Sequence, residues 1–263
     1  MKVGEEMHGL NIQRNDRPVR ERVRDALQTA IADGRLLPGS RLSERKLCTA
    51  FGVSRPVLRE AVRQLEADEL VESTPQRGTF VSSPSLADAL EIYEVRIELE
   101  GLAARLAARL CDDTDLRALS DALDAIGAVA QSKDLAAIVS AKTLFYEKLV
   151  AAARNTVLQG SLTRLRNRIL LYRGVALNEQ GRTATALREL QDIYAAIEER
   201  DAALAEKMSR RHIGEAAWRL AIALSRKEDR ALTASEQERL SLLGAGDREP
   251  QSSVKDTTKG AET

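Results

Sequence analysis

The chain has 263 residues, with 40 lysines and arginines against 40 aspartates and glutamates, so its formal net charge is zero; 43% of it is hydrophobic. That length accommodates two ordinary domains with separate cores. No apolar run approaches the roughly 18 to 20 residues that span a bilayer, and the opening MKVGEEMHGLNIQRND lacks the apolar stretch of a signal peptide, which predicts a soluble cytoplasmic protein without a membrane partner. Cys48 and Cys111 form no close pair, which argues against a disulfide framework or a zinc cluster.

Residues 1–16 are polar and aperiodic and predict a flexible arm. From Arg17 a first domain is expected through residue 83. Val23, Leu27, Ala30 and Ile31 give the stripe of one helix, which Gly34 stops. Ser43 can cap a second helix whose apolar positions are Leu47, Ala50 and Phe51, and Gly52 permits the chain to reverse. Ser54 can cap a third, which turns Leu58, Ala61, Val62 and Leu65 inward and sets Arg55 and Arg59, four apart, on the other face near its start. Leu70 and Val71 begin a strand, Pro75, Gln76, Arg77 and Gly78 make a turn, and Thr79, Phe80 and Val81 return. Three helices and a short β-hairpin in this order predict a winged helix-turn-helix with a cationic wing tip.

Net charge lends that reading little help. Residues 15–83 hold 12 basic and 10 acidic side chains, a net of +2, so the electrostatic case rests on where Arg45, Arg55, Arg59 and Arg77 fall. The chemistry of these positions suits DNA, because a guanidinium fork can take guanine O6 and N7 together or hold a phosphate.

A serine- and proline-containing linker at 84–88 is expected next, after which alanine, leucine and charged residues predict an all-helical domain over 89–226. Caps and breakers place helices at about 86–111, 115–132, 135–153, 156–179, 184–200 and 202–226, with Thr114, Asp134, Asn155, Thr183 and Asp201 as N-caps, folded as an antiparallel bundle. The fold class expected is therefore mainly α. Residues 227–263 form a tail with one possible short helix near Glu236 to Leu243, then a polar, disordered end.

The segments IADGRLLPGSRLSERKL, FGVSRPVLREAVRQLEADELVE and QRGTFV, followed by EVRIELEGLAARLAA and AIEERDAALAEKMSRRHI, resemble the GntR family of bacterial transcription regulators, in the subfamily with a FadR-type (FCD) helical domain. The resemblance implies DNA contacts at Arg45, Arg55, Arg59 and Gly78, the glycine letting the wing backbone approach a minor groove; Ser54 is expected to add a phosphate contact, and Arg77 is expected at the cationic wing tip from its place in the hairpin. It also implies a homodimer on an inverted-repeat operator, and an effector bound in the helical bundle. Where many relatives read Ser-Arg-Thr-Pro-Val-Arg, this chain reads Ser-Arg-Pro-Val-Leu-Arg, so Pro56 removes a hydroxyl and operator preference transfers less well.

Many relatives hold a divalent metal in the bundle on an aspartate and three histidines. By the same resemblance those positions here are Lys142, Tyr146, Leu190 and His212, of which only the last is a usual ligand. His8, the other histidine, lies in the arm. No metal or other cofactor is expected. Lys142 shares a stripe with Leu135, Ile138, Tyr146 and Leu149, which would point it inward, where an unpaired charge is costly. Lys142, Tyr146, His212 and Arg96 could grip an anionic effector in place of a metal. Alternatively Lys142 pairs internally or snorkels to water and His212 is a satisfied core histidine.

No catalytic triad, phosphate-binding glycine loop, paired metal motif or dinucleotide fingerprint is present, so an enzyme is not expected. The basic run Arg164, Arg166, Arg168 and Arg173 spreads around a helix and reads as solvated or as part of a subunit contact. The expected function is a ligand-responsive repressor. The alternative is a ligand-independent regulator whose helical domain serves only dimerisation or a protein partner.

Overall fold

The computed structural model describes residues 17–83, 85–132, 134–172 and 182–244. The arm with His8, Pro84, Arg173, the end of the fourth expected bundle helix and the terminal tail lie outside them.

The winged domain is built on α1 (Val19–Ala32), α2 (Glu44–Phe51) and α3 (Arg55–Ala67), with strands β1 (Arg41–Leu42), β2 (Val71–Thr74) and β3 (Gly78–Val81). Val23, Leu27, Ala30 and Ile31 are all buried along α1 and meet Leu58, Ala61 and Leu65 of α3 in one core. That helical spacing alone suffices to bury one face of each helix. Gly34 and Gly52 take positive φ where the first two helices end. The sheet has three strands in the order β1-β3-β2, all antiparallel, so the wing is a hairpin plus a two-residue strand. Arg41 pairs with Phe80 and Leu42 with Thr79.

Local differences from the expected helices have simple causes. Ala50 is exposed, because Leu47 and Phe51 already fill the inner face of the short α2. Ser43 and Ser54 occupy the N-cap positions in extended conformation, but neither side chain accepts a capping hydrogen bond.

The helical domain comprises α4 (Leu86–Leu110), α5 (Asp113–Val129), α6 (Leu135–Ala152), α7 (Thr156–Ile169) with a 3-10 turn at Leu170–Tyr172, α8 (Arg182–Glu198) and α9 (Ala202–Lys227). Since α4 starts at Leu86, the connection is shorter than expected. Ser85 and Asp88 form a capping box that begins the helix immediately after it. α5 is capped by Asp112 rather than Thr114, through a reciprocal arrangement with Asp115. Thr183 lies inside α8 instead of capping it, whereas Asp134, Asn155 and Asp201 each accept a bond from the first turn that follows.

The long helices α4 and α9 pack most extensively on each other, and α5, α6, α8 and α9 enclose a second core around Phe145, Leu149, Leu190 and Ile193. A further helix, α10 (Ala234–Leu242), carries a Thr233–Glu236 capping box. It is docked, with Leu240 and Leu243 buried against α4 and α9 and Arg239 paired to Glu91 and Glu94. Gly214 makes this possible: a Cβ there would collide with the Leu243 carbonyl oxygen.

Candidate nucleic-acid interface and bundle interior

α2 and α3 present Arg45, Ser54, Arg55 and Arg59 at the surface, all exposed. Pro56 stands in the first turn of α3, where its missing amide hydrogen leaves no helical bond unmade. The two recognition-helix arginines differ in their surroundings. Arg59 donates from Nε and Nη2 to the two carboxylate oxygens of Glu44, at 3.0 and 3.1 Å, across the helix-turn-helix. That bond outweighs the opposing effect of burial and holds the Glu44 carboxyl below the usual range. Among the described residues Arg55 makes no such bond to a carboxylate, and it stands at the amino end of the helix.

At the wing, Gln76 and Gly78 take φ of 69° and 97°, which turns the hairpin tightly and leaves Arg77 exposed at its tip. The guanidinium of Arg41, an exposed side chain on β1, lies where a Cβ on Gly78 would meet its Nε at 3.4 Å. Sequence reasoning passed over Arg41 and Glu44. The first is brought to the wing only by pairing of β1 with β3, while the second carries the wrong sign for a DNA contact.

In the bundle the structure brings Tyr146 and His212 together, at 2.6 Å between the hydroxyl and Nε2. His212 Nδ1 lies 2.6 Å from Glu189, which also accepts from Arg219 at 3.0 Å; Arg219 reaches Glu215 as well. Burial pushes the Tyr146 hydroxyl well above its ordinary range, so it stays protonated beside Nε2. Burial would raise Glu189 too, but the bonds from His212 and the charge of Arg219 outweigh it and hold the carboxyl at about 2. Both ring nitrogens of His212 are therefore engaged, Nδ1 by Glu189 and Nε2 by the Tyr146 hydroxyl.

Arg96 is 5% exposed and bonded to Glu100, which is 2% exposed, at 2.6 Å, with its guanidinium carbon 4.9 Å from the centre of the Tyr93 ring. Burial opposes charge on Arg96, and Glu100 more than offsets it, holding the guanidinium above its ordinary range. Lys142 is half-buried, and Leu190 is fully buried in the apolar core. The four presumed metal positions do not fit a divalent ion: an ammonium repels it, leucine has no donor, and the histidine's ring nitrogens are both engaged.

The run of arginines on α7, expected to be solvated or part of a subunit contact, is only partly solvated. Arg164 is exposed, but Arg166 is drawn inward over Tyr146 and Arg168 pairs with Glu69 of the winged domain at 3.0 Å. Asn167 between them accepts from Gln28 of α1 at 2.7 Å and reaches Asp68 at the end of α3. Leu171 and Tyr172 enter the winged-domain core cluster, and the Tyr172 hydroxyl donates to the Ser85 carbonyl. The end of α7 thus docks the two domains together.

Residues 19–81 match the bacterial regulatory proteins of the gntR family, and residues 91–215 match the FCD domain. The chain is 31% identical over 176 residues to the uncharacterised HTH-type transcriptional regulator YdhC of Bacillus subtilis, covering 66% of this chain and 79% of the relative. It is 27% identical to the galactonate operon transcriptional repressor of Escherichia coli, covering 76% and 96%. Among solved structures, Escherichia coli McbR/YncC superposes with a TM-score of 0.71 at 20% identity, covering 81% of this chain and 99% of that one, a likeness of fold. With its winged helix-turn-helix joined to a helical domain of the usual effector-binding type, this chain belongs to the GntR family of DNA-binding transcriptional regulators.

Proposed function

We propose that the protein is an effector-responsive repressor that binds an inverted-repeat operator as a homodimer in the cytoplasm. The observation that carries this reading is the exposed set Arg45, Ser54, Arg55 and Arg59 on α2 and α3, continued by Arg77 and Gly78 at the wing. In this reading α3 enters the major groove with its amino end foremost, Arg55 reads a base, Arg45 holds backbone, and Gly78 brings the wing to a minor groove. The likeness to a repressor of the galactonate operon supports repression as the sign.

The homodimer is supported by an apolar stripe along α4. Val95 and Leu110 are 50% and 49% exposed, Leu99, Leu102 and Leu106 lie between them half-buried, and Val157 of α7 is 78% exposed beside the same small cluster. Such a contiguous stripe is costly in water and suits a self-complementary two-fold contact. Selection of duplexes from a random pool followed by footprinting tests the whole reading. A symmetric, two-half-site footprint is expected, and one asymmetric monomer site would overturn the dimer. Replacing Leu102 and Leu106 together by glutamate is expected to yield a folded monomer by light scattering, with operator affinity reduced at least tenfold.

The interior network bears on where the effector sits. Tyr146, His212, Glu189 and Arg219 satisfy one another, and Arg96 is neutralised by Glu100. This arrangement supports the reading of His212 as a satisfied core histidine more than that of an anion clamp awaiting a ligand.

A further inference from the structure

The arginines of the winged domain divide by their company. Arg17 and Arg24 pair with Asp25, Arg20 with Glu21, Arg35 with Asp33, Arg59 with Glu44 and Arg63 with Glu60. Among the described residues Arg22, Arg41, Arg45, Arg55 and Arg77 enter no ion pair. Arg22 is half-buried on α1, with its Nε withdrawn from water. The other four are exposed, and Arg45, Arg55 and Arg77 already stand on the proposed DNA-binding surface. Arg41 is the fourth. An exposed guanidinium left free of carboxylates keeps its charge and its donors for an external partner.

Strand pairing brings Arg41 to the wing. Its partner across the β1–β3 ladder is Phe80, and the next pair is Leu42 with Thr79. Leu42 is buried, so strand alternation sends Arg41 to the outer face of the sheet, which it shares with Gly78, Phe80 and Glu72. A long side chain reaches the diagonal neighbour two residues along the facing strand, which here is Gly78. A Cβ on Gly78 would stand 3.4 Å from both Nε and Nη2 of Arg41 and 3.8 Å from the guanidinium carbon that joins them. The guanidinium therefore turns that edge towards the glycine and leaves Nη1 on the far side. Glu72 occupies the same face from β2, beyond Phe80, and among the described residues it forms no ion pair with Arg41.

We propose that Arg41 is a specificity residue of the wing: its guanidinium enters the minor groove beside Gly78 and selects A·T pairs flanking the bases read by α3. The contact rests on the DNA-binding reading and deepens it. A·T-rich segments narrow the minor groove and strengthen its negative potential, which favours an inserted arginine. The floor of such a groove presents only acceptors, adenine N3 and thymine O2, whereas guanine adds an amino donor that meets the guanidinium donors head-on. Nη1, carrying two hydrogens and turned away from the strand, suits those acceptors. Gly78, without a side chain, leaves the room in which Arg41 lies across the wing.

The test uses the full chain and a duplex it selects from a random pool. The A·T pairs adjoining the half-sites of that duplex are replaced by G·C, or by inosine·cytosine, which resembles G·C in the major groove but lacks the minor-groove amino group. In gel-shift titrations the parent is expected to bind the A·T and inosine duplexes within twofold of each other, and the G·C duplex at least fivefold more weakly. Arg41→Met should bind the A·T duplex at least fivefold more weakly than the parent does and should distinguish the three duplexes by less than twofold. Arg41→Lys keeps the charge but not the planar fork, and should restore less than half of the flank preference on a logarithmic scale. Parent-like binding by Arg41→Met, or a flank preference that survives it, would overturn the assignment. So would an inosine duplex bound as weakly as the G·C one, which moves the discrimination to the major groove. Equal loss by Arg41→Met on all three duplexes, with a salt slope smaller by about one, would put Arg41 on a phosphate and remove the minor-groove contact. Failure of the parent to select any duplex removes the DNA-binding reading and this contact with it, whereas a parent that selects duplexes without a flank preference loses only the contact.

Discussion

Replacing Tyr146 by phenylalanine isolates one bond of the interior network. The ring remains, with its edge-on contact to Phe145 at 6.0 Å between ring centres, and only the hydroxyl that meets His212 Nε2 is lost. His212 is 5% exposed, so the orphaned nitrogen has little access to water. Leaving a buried polar atom unsatisfied costs about 1 to 3 kcal/mol. For a protein of this size each kcal/mol lowers Tm by roughly 2 to 4 °C, so a loss of about 2 kcal/mol corresponds to a fall of roughly 4 to 8 °C. The measurement is urea unfolding with calorimetry: a reduced midpoint at unchanged slope is expected, since the exposed surface on unfolding stays the same. A double-mutant cycle with His212→Phe should show coupling of about 0.5 kcal/mol or more. A Tyr146→Phe protein as stable as the parent, or coupling near zero, would refute the view that this chain of bonds holds α6, α8 and α9 in register.

Acid should weaken the same network. Glu189 is held at about 2, below the ordinary carboxylate value of 4.5, so it stabilises the fold at neutral pH, and that contribution is lost as pH falls from about 4.5 towards 2. The shift corresponds to stability on the order of 3 kcal/mol; Glu189→Gln should be less stable at pH 7 and show a shallower acid limb by chemical denaturation. Arg55→Met should leave stability unchanged, because the side chain is exposed, yet lower discrimination between selected and random duplex by about 1 to 3 kcal/mol in gel-shift titrations. A uniform loss on both duplexes with a smaller salt slope would instead mark Arg55 as a phosphate contact. Gly214→Ala should undock α10 or strain α9, since its new methyl meets the Leu243 carbonyl; increased proteolysis after residue 227 would report it, and unaltered resistance would contradict the close approach.

The winged domain was more legible in sequence than the bundle because its signals are local. Helical spacing at Val23, Leu27, Ala30 and Ile31 and turn glycines at 34 and 52 act within a few residues, and each corresponds to a buried face or a positive φ. The strand β1 has two residues and no periodicity of its own; it exists through pairing with β3, which a local pattern does not contain. In the bundle, Asp112 prevails over Thr114 as a cap because Asp115 returns the hydrogen bond, a preference decided between two adjacent candidates. The α7 arginines are only partly solvated for a tertiary reason. Spacing distributes them around the helix, but Tyr146 and Glu69, from other elements, determine which are withdrawn from solvent. Tyr146 and His212 were placed together by the resemblance, whereas Glu189 and Arg219, which complete the network, carry no motif and were found only in the structure.

The docking of α7 against the winged domain limits how freely these two modules can be exchanged. Gln28, Asp68 and Glu69 lie on the DNA-binding side of that seam, away from the arginines expected to meet an operator, and they face Asn167 and Arg168 of the bundle. A hybrid regulator made by grafting a foreign reading head onto this helical domain would bring its own operator preference but not those three side chains. Carrying Gln28, Asp68 and Glu69 across with the graft preserves the mechanical link, so that recognition and response can be recombined without being disconnected.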